Sequence, residues 1–117
     1  MPYLDGSVEA KSADDVGIVT VGVLSVYADC SEAFCAGAPL ALTFGQRRVL
    51  FELLRLDGRV ARREDLYQSA FGRALPAGSR AVDIHVGRIR RALGRRADTL
   101  VSVGSVGYRL EPTRLRS

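Results

Sequence analysis

The residues best equipped for chemistry in this chain are arginines. Six of them crowd into "SRAVDIHVGRIRRALGRR", Ser79 to Arg96, where the single acid is Asp83. In the same stretch Val82, Val86, Ile89 and Leu93 recur at intervals of four, three and four, the spacing of one helical stripe. A helix over 80–93 would bury that stripe and turn Arg80, Ala81, Ile84, Arg88 and Arg91 away from it. Asp83 and Arg90 flank the stripe on one side and His85 on the other. A guanidinium presents paired donors that suit phosphate oxygens or guanine O6 and N7, and an apolar side chain such as Ile84 suits a thymine methyl. The chain has no Asn, and this helix has no Gln, so paired reading of adenine is unavailable from it. The expected chemistry is recognition of a polyanion, with guanine read through Arg88 or Arg91 and phosphates reached by His85 and the flanking arginines.

Catalysis has no comparable support. A nucleophile needs a base, and His85, the only histidine, lies among arginines rather than near a thiol or paired carboxylates. Cys30 and Cys35 are five apart, which is neither a C-x-x-C redox pair nor a zinc spacing. They are expected to be free thiols, with a redox pair across a hairpin as the alternative. No glycine loop of the phosphate-binding type occurs. No enzyme activity, metal or cofactor is expected.

Charge distribution favours the same kind of partner. Residues 1–33 hold six acids and one base, whereas residues 34–117 hold seven acids and sixteen arginines. A strongly basic body favours a polyanion. RNA is disfavoured because Phe and Tyr fall mostly on core stripes and leave no stacking surface. No run of 18 apolar residues exists, and the first residues lack the basic and apolar regions of a secretory signal, so no membrane partner is expected and the cytoplasm is the default compartment. With 47% hydrophobic and 26% charged residues in 117, the chain has the composition of one globular domain.

Several elements must position the arginine helix. Residues 1–17 read as a flexible acidic leader and 111–117 as a basic tail, leaving one domain over 18–110. The β-branched run 18–27 reads as a strand, followed by strands near 32–35 and 40–42 around a turn at 36–38. Thr43 with Gln46 three residues on forms a capping-box pattern for a first helix over 44–56, with Gly58 suited to a left-handed cap. Val60 reads as a buried anchor. A short helix over 63–71 follows, its inward side made of Leu66, Tyr67 and Phe71, with Ala70 as a further candidate and Arg62 as a poor cap. Ser79 should cap the third helix. Leu100–Val103 and Val106–Leu110 read as a hairpin across Gly104-Ser105. The fold class is α+β: a winged helix-turn-helix with an N-terminal antiparallel sheet, three helices and a C-terminal β-hairpin wing.

Four stretches carry a resemblance: "LTFGQRRVLFELL", "GRVARREDLYQSAFG", "RAVDIHVGRIRRAL" and "VSVGSVGYRL". From about Val21 to Leu110 the chain resembles the winged-helix DNA-binding (effector) domain of OmpR/PhoB-type response regulators. The resemblance implies a third helix in the major groove and a wing on the adjacent minor groove or backbone of double-stranded DNA. It implies DNA contacts at Arg80, His85, Arg88 and Arg90, phosphate contact at Ser102, backbone contact at Arg109, support of the arginines by Asp83 and packing by Tyr108. The loop 73–79 matches the segment that in some members touches RNA polymerase, and members often assemble as tandem dimers on direct repeats. The chain departs from the pattern at Gly87, at Gly104 where a wing arginine is common, and at Arg62. No receiver domain fits before Val21, so a stand-alone regulator is expected. The other reading is a winged-helix protein-interaction module that has lost DNA specificity.

Overall fold

The computed structural model describes residues 17–112. The acidic leader and basic tail, apart from Gly17 and residues 111–112, lie outside the described residues. Four short strands come first: β1 (Ile18–Val21), β2 (Leu24–Tyr27), β3 (Ala33–Cys35) and β4 (Ala38–Pro39), an antiparallel sheet in chain order. The run 18–27 is thus two strands and not one. It turns back between Val21 and Leu24, which pair. Folding back satisfies the backbone of both segments and buries Leu24 and Val26. The strand expected at 40–42 is also displaced. After β4 the Leu42 N–H turns back onto the Leu40 carbonyl at 3.0 Å, which buries Leu42 and delivers Thr43 to the helix start.

Helix α1 (Phe44–Leu56) carries both bonds of the capping box: Gln46 N donates to Thr43 Oγ1 at 3.2 Å, and Thr43 N donates to Gln46 Oε1 at 2.9 Å. Val49, Leu50, Leu53 and Leu54 are its buried side. It ends on Asp57 as the left-handed cap (φ 48°), one residue before the Gly58 expected there. The next two residues correct a second expectation. Val60 is 45% exposed, and Ala61 is the buried anchor. Ala61–Arg62 form a short strand, β5, and pairing of Ala61 with Tyr108 turns Ala61 inward.

Helix α2 (Arg63–Phe71) buries Leu66, Tyr67 and Ala70, while Phe71 stays partly exposed and Arg62 makes no side-chain cap. Helix α3 spans Ala81–Leu93. Its N-cap is Arg80 rather than Ser79, but the Ser79 hydroxyl still accepts the Ala81 N–H at 3.1 Å. Val82, Val86, Ile89 and Leu93 are all buried, each contributing roughly 1.5–3 kcal/mol of apolar transfer. A 3-10 turn at Gly94–Thr99, absent from the expectations, links α3 to the hairpin β6 (Leu100–Val103) and β7 (Gly107–Leu110).

The hairpin is one part of a three-stranded sheet, ordered β5-β7-β6. Gly107 makes that joint possible, because a Cβ there would lie 1.9 Å from the Ala61 carbonyl oxygen. The layout is the expected α+β winged helix. No helix among the described residues is long and apolar enough to cross a membrane.

Candidate nucleic-acid interface

Seated by its apolar stripe, α3 presents Arg80, Ile84, Arg88 and Arg91 to solvent. Ile84 is 56% exposed, a large apolar side chain in a field of guanidinium groups. Arg88 and Arg91 enter no hydrogen bond or ion pair among the described residues, and they line an open cleft with Leu40, Leu42 and Thr43. Arg80 is tethered only loosely: its side chain is 79% exposed, and it lies 3.4 Å from Asp83. These four side chains can reach a polyanion without breaking the fold. Ala81, also expected on this face, is half-buried and packs against the core.

Three other expected contacts point elsewhere. The His85 ring stacks on Phe71 at 5.5 Å and sits close against Gly45 of α1. Its Nδ1 is buried without a hydrogen-bond partner, and burial pushes the imidazole below its ordinary pKa. A neutral, packed imidazole is a seat for α1 and α2 and not a cation for phosphate, because the charged form would lose its solvation there. Arg90 turns toward the wing, donating to the Leu100 carbonyl from Nε and Nη2 at 3.0 and 2.6 Å and to the Ser102 hydroxyl at 3.0 Å. Arg109 pairs with Glu111 at 2.7 Å. Helical angle placed His85 and Arg90 correctly around α3 but could not show what occupies each side.

Ser102 is exposed and keeps its own hydroxyl proton to donate, so it can still meet a phosphate. The wing turn begins at Gly104, whose φ of 50° suits glycine and disfavours the arginine that the resemblance leads one to expect there.

The sequence reading missed Arg63, the first residue of α2. Its Nε donates to Asp83 Oδ1 at 2.9 Å, its Nη1 to the Ser105 carbonyl at 2.8 Å, and its Nη2 to the Tyr108 hydroxyl at 3.5 Å. The Tyr108 hydroxyl also donates to Asp83. That hydroxyl, with Arg63 and Arg80, holds the Asp83 carboxyl below its usual range. Asp83 therefore supports arginines, as expected, but Arg63 is the tightest of them. Only the spacing of a basic residue 20 positions before Asp83 was visible in the sequence, and that spacing carries no signal.

Among the described residues no cluster of three or more His, Cys, Asp or Glu side chains could hold a metal. Cys30 is buried, its thiol pushed up by desolvation, and Cys35 is half-buried; both are free.

A three-helix core, a wing and an exposed basic third helix define a winged-helix domain. The chain belongs to the family described as "Transcriptional regulatory protein, C terminal", which matches residues 37–110 and is a family of regulators rather than of enzymes. It is 33% identical over 103 residues to the transcriptional regulatory protein CseB of Streptomyces avermitilis, covering 88% of this chain and 43% of that one. It is 34% identical over 92 residues to the transcriptional regulatory protein CpxR of Klebsiella pneumoniae, covering 77% of this chain and 40% of that one. The chain thus spans less than half the length of these relatives. The DNA-binding domain of CpxR from E. coli superposes with a TM-score of 0.69 at 29% identity, over 80% of this chain and 94% of that one. The RstA domain of Klebsiella pneumoniae, solved in complex with the RstA box, shares the fold at a TM-score of 0.70 and 22% identity, over 82% of this chain and 98% of that one.

Proposed function

We propose that this chain binds double-stranded DNA sequence-specifically in the cytoplasm and regulates transcription, with α3 in the major groove and the β6–β7 hairpin as the wing. The observation that carries this is the α3 face of Arg80, Ile84, Arg88 and Arg91, turned outward by a buried stripe. Family membership supports it, as does the solved complex of the RstA domain with its DNA box. Arg88 or Arg91 reads guanine, Ile84 touches a thymine methyl, and Arg80 and Ser102 hold phosphates.

The mechanism is a division of labour. Phosphate contacts fix the register, and base-edge contacts set the preference. Since Arg90, Arg109 and His85 are engaged within the fold, three cations remain on this face, Arg80, Arg88 and Arg91, and the neutral Ser102 hydroxyl displaces no counterion. Binding to duplex DNA at varied salt should therefore give a log–log slope of about −2 to −3. Absence of binding to any duplex at low salt would refute the reading. The loop 73–79 is the surface for RNA polymerase in this account, and tandem copies occupy repeated half-sites. The internal engagement of Arg90 and Arg109 favours a second reading, a winged-helix protein-interaction module with weak DNA specificity. A slope shallower than about −1 would favour that module.

A further inference from the structure

On the DNA-binding reading the wing and α3 meet one DNA molecule at the same time, yet in the chain they join through a 3-10 turn and a hairpin of two four-residue strands. One side chain from neither element spans the gap. Arg63, at the start of α2, holds the α3 carboxylate of Asp83, the backbone carbonyl of Ser105 in the wing turn, and the Tyr108 hydroxyl on β7. Its guanidinium also lies over the Tyr108 ring, 5.0 Å from the centroid, and Arg90 of α3 approaches that ring at 5.6 Å. The Arg63 side chain is only 25% exposed. Its own backbone N–H points at the Val106 carbonyl at 3.4 Å.

We propose that Arg63 is a positioning residue that clamps the wing turn to the recognition helix and sets the angle at which both meet DNA. The clamp does more than fix the wing. Asp83 shares its carboxylate among Arg63, Tyr108 and the exposed Arg80. Arg63 and the Tyr108 hydroxyl hold that charge even when Arg80 lets go. Arg80 is thereby free to swing from Asp83 to a phosphate without leaving a half-buried carboxylate unpaired. A fork of donors in fixed geometry is needed to hold a carboxylate, a carbonyl and a hydroxyl at once, and an ammonium is a point charge with no such fork. The inference rests on the DNA-binding reading above.

The test uses the full chain with Arg63→Lys and Tyr108→Phe. Amide exchange on the free protein reads the clamp without DNA, through the Val106 N–H that donates to the Val103 carbonyl at 2.9 Å. Both variants should speed exchange at 104–107 while leaving α1 protected. An unchanged wing turn would overturn the clamp whatever the chain binds. On a duplex selected with the wild-type chain, each variant should bind about fivefold more weakly, and the double variant no more weakly than the worse single one, as for groups in one network. Full affinity in Arg63→Lys would show that charge alone matters and overturn the proposal. So would weakening by Arg63→Lys with none by Tyr108→Phe, which would make Arg63 a direct phosphate contact. Failure of the wild-type chain to bind any duplex would overturn the DNA-binding reading and, with it, the clamp's role on DNA, while the exchange result would stand for the free fold.

Discussion

At the scale of single residues, His85 is the side chain whose position most changes the account. Packed between Gly45 and Phe71 with Nδ1 buried, it is depressed below its ordinary pKa of 6.5 by desolvation. As pH falls below about 6.5 the unfolded chain takes up the proton and the folded chain resists it. The unfolded state therefore binds more protons, and stability should drop as pH is lowered from about 7 to about 5, while this group contributes no pH dependence above neutrality. Thermal unfolding across that range checks this, and His85→Phe should flatten the profile. A wild-type profile already flat between those values would contradict the buried, neutral ring. Asp83 acts in the opposite part of the scale. Its pKa is lowered first by the Tyr108 hydroxyl bond and then by Arg63, so its contribution is present above its ordinary 3.8 and is lost as pH drops further. The sequence made His85 look like a phosphate contact because it sits beside arginines on the helix. What decides its role is the absence of a side chain at Gly45, forty residues earlier, and no local pattern reports that.

At the scale of elements, α3 carries the account, and its weakest point is Gly87. A Cβ there would meet nothing within 4 Å. Gly87→Ala should therefore stabilise the protein by about 0.5–1 kcal/mol through helix propensity alone, raising the melting temperature by roughly 4 °C. DNA affinity should be unchanged or slightly tighter. A lower melting temperature would mean that something on this face requires a bare backbone. The helices were readable from sequence because each has a strong local rule: a capping box at Thr43, an apolar stripe on α3, and a glycine or acid at each C-terminus. The strands were less readable. Runs 18–27 and 38–42 are both β-branched or apolar, but where each turns depends on which residues the helices bury. β5, two residues long, exists only because β7 lies beside it. No pattern within Ala61–Arg62 announces it, and so Val60 took the place of Ala61 in the sequence reading.

At the scale of the whole molecule, the charges divide between those that hold the fold together and those left to meet a partner. Arg47 and Arg48 secure backbone carbonyls and the Cys30 sulfur, while Arg63 and Arg90 join helices to the wing. Arg80, Ile84, Arg88 and Arg91 remain as one exposed face. A count of arginines therefore overstates the contacts available to DNA, and the geometry of their partners corrects it. Basic composition favours a polyanion as the partner, and packing separates the arginines that are free to meet one from those engaged within the fold.

On the proposed reading, the exposed α3 face discriminates DNA sequence. Selection of bound duplexes from a random library, run in parallel with the wild-type chain and with Arg88→Ala and Arg91→Ala, tests it most directly. A defined motif is expected for the wild type, with preference relaxed at one guanine and affinity reduced by roughly 1–3 kcal/mol in at least one variant. The same motif at the same affinity from all three chains, or no enriched motif from the wild type, would contradict it.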